Sequence, residues 1–121
     1  MAHILLVEDD SSMRHFLSGA LMRAGHELVV CPNAREALAT LEDSQYKPFD
    51  LMLTDIVMPG MDGIQLSKKA AEIVPDLKVM FMTGFSAVVM DRKDIDKKAE
   101  VVSKPFHLKD LVEQVNKLLA A

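Results

Sequence analysis

The sequence predicts a doubly wound α/β fold: a five-stranded parallel sheet with five helices covering both faces. Three observations lead there. Short apolar runs alternate with helical apolar periods along all 121 residues. The first run, HILLV (3–7), is continuous rather than alternating, as expected for a strand buried on both faces. The length suits one domain, and strict βα alternation with right-handed crossovers fits an open sheet better than a closed barrel.

Taken in order, HILLV (3–7) is the first strand. Met13, Phe16, Leu17, Ala20, Leu21 and Ala24 then form a helix stripe, with Ser11 or Ser12 as N-cap and Gly25 as stop. ELVVC (27–31) is the second strand. Asn33 caps a helix carrying Ala34, Ala37, Leu38 and Leu41. FDLMLTD (49–55) is the third strand, and Ile64 to Val74 is a helix halted by Pro75. LKVMFMT (77–83) is the fourth strand. Residues 85–98 predict a short, weakly specified helix, because the apolar residues cluster early and the segment ends in DRKDIDKK. EVVS (100–103) is the fifth strand. Leu108, Leu111, Val112, Val115, Leu118 and Leu119 mark the last helix. With no repeat, low-complexity segment or linker, residues 1–121 are expected to be one domain without an output domain, with the flavodoxin-like strand order 2-1-3-4-5.

Composition excludes several classes. Half the residues are apolar, 26% are charged, and the net charge is -4. No Lys/Arg cluster suggests nucleic acid as a partner. No apolar run reaches the roughly 18 residues of a membrane helix, and no signal peptide opens the chain. Cys31, the single cysteine, has no internal disulfide partner and reads as the end of a strand. A cytoplasmic location is expected.

In open parallel sheets the site lies beyond the carboxyl ends of the strands. The first strand is followed by Glu8, Asp9 and Asp10, the third ends in Asp55, the fourth ends in Thr83, and Lys104 follows the fifth. Clustered carboxylates repel unless a cation offsets them. His3, His15, His26 and His107 lack metal-like spacing, so an oxygen-only set suits Mg²⁺. Positions open on the metal would then accept phosphate, with Lys104 as a point charge, Thr83 as a hydroxyl donor and Asp55 as a nucleophile able to form an acyl phosphate.

VEDD after the first strand, TDIVMPGMDG at the third, MTG at the fourth and SKPF after the fifth together resemble the CheY-like receiver domain of bacterial response regulators. The resemblance spans the chain. It implies that Asp55 accepts a phosphoryl group from a histidine kinase or a histidine phosphotransfer protein. It implies Mg²⁺ held by Asp9, Asp55 and the backbone carbonyl of Val57, with Glu8 acting through water. Thr83 and Lys104 would contact the phosphoryl oxygens, and the Lys104–Pro105 bond would be cis. Gly60 and Gly63 fit a turn beside the metal site. The resemblance also marks Met13, Arg14, His15 and Ser18, with Pro105 and Phe106, as a partner-binding surface. More narrowly, RAGHE, FDLMLTDIVMPGMDGI, SKPFHLKDLV and the final LLAA resemble the CpdR family of alphaproteobacterial cell-cycle regulators. That family implies a phosphorelay receiver whose unphosphorylated form helps the ClpXP protease degrade substrates. Leu119, Ala120 and Ala121 resemble an ending read by the ClpX unfoldase. The alternatives are a CheY- or DivK-like receiver acting on a kinase or another target, and a phosphate-shuttling intermediate.

Two positions depart from the receiver pattern. The switch position that usually holds Phe or Tyr is Val101, so a rotating aromatic is not expected and the switch is expected to run through residues 84–98. Val57 and Phe85 flank the path of attacking water in the family and cannot hydrogen-bond it, so self-dephosphorylation should be slow. Two other classes fit less well. An aspartyl-phosphate phosphatase would place a D-x-D after the first strand, and a flavin module would need a phosphate loop rich in Gly and hydroxyls.

Overall fold

The computed structural model describes residues 2–84 and 100–121. Its elements are β1 (His3–Val7), α1 (Ser11–Arg23), β2 (Glu27–Cys31), α2 (Ala34–Glu42), β3 (Leu51–Asp55), α3 (Gly63–Ile73), β4 (Lys78–Thr83), β5 (Glu100–Ser103) and α4 (Leu108–Ala120). The strands form one sheet in the order β2-β1-β3-β4-β5, and every neighbouring pair is parallel. The strand order and all five strands match the sequence expectation. The helix expected within 85–98 lies outside the described residues.

Alternation along each strand splits the core in two. Ile4 and Leu6 of β1, Leu51 and Leu53 of β3, and Met80 and Met82 of β4 pack against Leu17 and Leu21 of α1 and Leu111 and Val115 of α4. Leu5, Val7 and Met52 point the other way, onto Ala34 and Ala37 of α2 and Leu66 and Ala70 of α3. Every residue of β1 and β3 is buried, which explains the unbroken apolar runs Ile4–Val7 and Leu51–Leu53 within them. Cys31 is buried at the end of β2, and burial pushes its thiol up from the usual value. No helix among the described residues is long and apolar enough to cross a membrane.

The helix ends show what local chemistry decides. The α1 cap is Asp10, not Ser11 or Ser12: its carboxylate accepts the Met13 N–H at 3.0 Å. A carboxylate accepts this bond and also complements the helix dipole. At the other end Gly25 adopts φ +95°, the Gly25 N–H reaches the Met22 carbonyl and the His26 N–H reaches that of Leu21. That is a Schellman closure, which glycine permits without strain. Asn33 caps α2 through the Glu36 N–H, and Asp62 and Gln65 form a reciprocal capping box on α3. Two members of the expected α1 stripe leave the core. Phe16 is 62% exposed, and Ala24 is the exposed C-cap, where the helix has ended.

Candidate functional site

The sheet delivers the polar residues to one edge by extending its own ladder. The Glu8 N–H donates to the Cys31 carbonyl at 3.1 Å, so β1 stays paired one residue past its end. The Ile56 N–H donates to Met82 at 3.0 Å, and the Lys104 N–H donates to Thr83 at 2.6 Å. These bonds fix the backbone of Glu8, Asp55, Thr83 and Lys104 beside one another. The Lys104–Pro105 peptide bond is cis, as the resemblance implied.

Three carboxylates converge there. One oxygen each from Glu8, Asp9 and Asp55 lies within 4.8 Å of the others. Glu8 and Asp55 are buried and Asp9 is exposed. The Lys104 ammonium bridges two of them, at 2.6 Å from Asp55 Oδ1 and 3.2 Å from Glu8 Oε1. The second Glu8 oxygen, Oε2, is buried without a hydrogen-bond partner among the described residues. Burial pushes the Asp55 carboxyl up from its ordinary value, against the opposing hydrogen bond and charge of Lys104. For Asp55 the cost of burial thus outweighs what Lys104 returns. An orphaned buried oxygen within an all-carboxylate donor set suits a hard divalent cation, so the residues present fit Mg²⁺. Asp10, which follows the pair in sequence, points away and serves as the α1 cap.

Thr83 is buried at the end of β4. Val57 carries its side chain 61% exposed. Phe85, the other residue expected beside the water path, lies outside the described residues, as does nearly all of the segment expected to carry the switch. Val101 is half-buried against Ile56, Ile64 and Phe81. Phe81 pairs in register with Val101 and is 1% exposed, so a large ring on the neighbouring strand fills this part of the face. Gly63 needs no unusual φ. Its need is clearance, because a Cβ there would fall on the Asp55 carbonyl oxygen and lie 2.9 Å from the carbonyl carbon. Only Gly60 of the pair takes a left-handed turn, at φ +79°.

The expected partner residues separate into different environments. His15 is exposed on α1, Met13 is half-buried against the core, and the Ser18 hydroxyl donates to the His15 carbonyl. Arg14 turns its guanidinium onto the loop that carries Glu8 and Asp9. Pro105 is exposed and Phe106 packs partly against the core. The sequence reading missed Phe16 as a surface residue of this region. At the far end of the sheet Leu119 packs against the core, while Ala120 and Ala121 are exposed. Lys78 donates to the carbonyls of Leu118 and Ala121 at 2.7 and 2.9 Å, tethering this end of α4.

The family model described as response regulator receiver domain matches residues 4–116. The chain is 51% identical to the response regulator receiver protein CpdR of Brucella abortus (strain 2308), across 100% of this chain and 99% of that protein. Among solved structures, the receiver domain of the hybrid histidine kinase CckA superposes with a TM-score of 0.82 at 31% identity, covering 97% of this chain and 98% of that one. The response regulator TrrA of Thermotoga maritima, solved in complex with Mg²⁺–BeF, gives 0.81 at 31% identity, covering 98% and 99%. Receiver domains are phosphoacceptor signalling modules, and the full-length similarity to CpdR makes this one a CpdR-like phosphorelay receiver. The chain belongs to the response regulator receiver domain family.

Proposed function

We propose that this protein accepts a phosphoryl group on Asp55 from a phosphohistidine donor, with Mg²⁺ at the acidic cluster, and so switches its protein contacts. The observation that carries the reading is the buried Asp55 carboxylate, held 2.6 Å from Lys104 and beside Glu8 and Asp9. The ion bound in the TrrA structure supports Mg²⁺ as the metal. Asp9, Asp55 and the Val57 carbonyl would hold it directly and Glu8 through water. When bound, Mg²⁺ offsets the charge of the phosphoryl oxygens. An Asp55 oxygen attacks phosphorus in line, the P–N bond breaks, and its electron pair returns to the donor imidazole. Lys104 then exchanges its carboxylate partners for a phosphoryl oxygen, and the Thr83 hydroxyl donates to another.

Incubation with acetyl phosphate and Mg²⁺ should add the mass of one phosphoryl group to the wild type. Asp55→Ala, or EDTA, should abolish the gain; a gain of equal size in Asp55→Ala sinks the proposal. The gain should also persist, because the exposed Val57 side chain cannot orient water. Val57→Glu should shorten its lifetime several-fold, and an unchanged lifetime contradicts that role.

The donor is a histidine kinase or histidine phosphotransfer protein docking on α1, with Met13, His15, Ser18 and the exposed Phe16, and on Pro105 and Phe106. Similarity to the CckA receiver domain supports such a partner. Phe16→Asp should slow transfer from a phosphorylated phosphotransfer protein about tenfold or more while sparing uptake from acetyl phosphate; equal slowing of both refutes the docking role. Similarity to CpdR supports a cell-cycle output through ClpXP in the cytoplasm, favoured by the unphosphorylated state. Leu119, Ala120 and Ala121 are the proposed recognition ending. Replacing Ala120 and Ala121 with Asp should slow turnover by purified ClpXP, and unchanged turnover removes the assignment.

A further inference from the structure

We infer that Arg14 is a positioning residue for the acidic cluster, acting through the backbone of the β1–α1 loop. The inference rests on the metal-assisted reading of that cluster. The loop is only three residues long, Glu8 to Asp10, and it carries two of the three converging carboxylates. Its ends are tied from outside. The Glu8 N–H is held by the Cys31 carbonyl, and the Asp10 side chain is committed to the Met13 N–H. Asp9 lies between them with its side chain exposed and without a hydrogen bond or ion pair among the described residues. Its carboxylate sits close to two like charges that would push it outward.

Arg14 holds the backbone under that carboxylate. Its Nη1 donates to the Glu8 carbonyl at 2.8 Å and to the Asp9 carbonyl at 3.0 Å. One nitrogen thus fixes two successive peptide planes, and the Cα–Cβ direction of Asp9 follows from them. The Arg14 N–H bonds the Asp10 carbonyl at 2.9 Å, so the side chain springs from the first turn of α1 and folds back over the loop. The guanidinium also brings a permanent positive charge beside the cluster. It forms no ion pair with a carboxylate among the described residues, so its hydrogen bonds go to the carbonyls. A residue that orients metal ligands this way is expected to alter metal affinity by about 10- to 100-fold when lost.

The test measures Mg²⁺ affinity by titration calorimetry without any phosphodonor, on the full chain and on Arg14→Gln and Arg14→Lys. Amide exchange at Asp9 and Asp10 is followed in the metal-free proteins, and uptake from acetyl phosphate at saturating Mg²⁺. Acetyl phosphate presents no protein surface, so a lost docking contact cannot slow it. Arg14→Gln should bind Mg²⁺ about 10- to 100-fold more weakly and exchange faster at Asp9 and Asp10, with its thermal midpoint close to wild type. Arg14→Lys should recover part of the affinity, and it serves as the second variant if the glutamine protein folds poorly. If the wild type binds Mg²⁺ and gains phosphoryl mass but both variants match it within twofold, the Arg14 assignment is overturned and the site reading stands. If the wild type does neither, the site reading fails and takes this assignment with it.

Discussion

Gly63→Ala should lower the thermal midpoint by on the order of 10 °C and slow phosphoryl uptake from acetyl phosphate at least about tenfold. An added Cβ would land on the Asp55 carbonyl oxygen and lie 3.0 Å from the Ile56 Cα. Both neighbours are backbone, so no side chain can swing aside. The Gly63 N–H also donates to the Ile56 carbonyl at 2.7 Å, and the same displacement weakens that bond. Overpacking costs about 1–3 kcal/mol, and each kcal/mol moves the midpoint of a domain near this size by roughly 4–8 °C. The kinetic effect has a separate cause. The strain falls on Asp55 itself, and a shift of about 1 Å in a reacting group can cost about 100-fold. Circular dichroism melting and acetyl phosphate kinetics below the melting point check the two parts. A midpoint within 2 °C of wild type would show that α3 is free to back away from β3.

Lys104→Ala should be the most damaging change at the charged cluster, and its cost should depend on metal and pH. Removing the ammonium leaves Glu8 and Asp55 buried, close together and without their cation. Breaking a buried pair by deleting one partner typically costs about 3–5 kcal/mol. In EDTA at neutral pH a loss of that order is expected in denaturant unfolding. Mg²⁺ should restore much of it, because a divalent cation supplies the missing charge. Acidification should also narrow the gap. The Asp55 carboxyl is already pushed up from 3.8 in the folded protein. A folded value above the unfolded one gives a contribution that is full below the unfolded value and lost as pH rises through the folded value. Without Lys104 that folded value climbs further, so the variant's deficit is largest above it and shrinks below. A deficit independent of both Mg²⁺ and pH would mean that lysine packing, not charge, holds this edge together. Phosphoryl uptake should fall at least about 100-fold, as expected when a positioned cation at the developing charge is removed.

Much of this fold was legible because the central strands β1 and β3 are buried on both faces and the helices on one. That contrast wrote a continuous apolar run for β1 and a 3.6-residue period for α4. The same pattern misled at Phe16. On a helix it lies roughly 80° from the centre of the α1 stripe at about 100° per residue, and apolarity at a stripe's edge does not tell core from surface. Asp10 was overlooked as a cap because it belongs to an acidic run; the structure divides that run between the carboxylate cluster and the helix end. The site residues were legible since each terminates a strand, and parallel topology collects strand ends. What sequence could not supply was tertiary clearance and reach. Gly63 looked like a turn residue because nothing local announces that α3 approaches the Asp55 carbonyl. Arg14 looked like a surface residue because a side chain folding back onto carbonyls leaves no periodic trace. Lys78 gave no hint of its bond to the Ala121 carbonyl, 43 residues away.

The central claim is that the phosphoryl group goes to Asp55 and to no other carboxylate of the cluster. Reduction of the acetyl phosphate-treated protein with borohydride converts an aspartyl phosphate to homoserine, and peptide mapping by mass spectrometry then locates it. The account predicts homoserine at residue 55 alone, dependent on Mg²⁺. Homoserine at Asp9, or an unmodified Asp55 in protein carrying the phosphoryl mass, would contradict it.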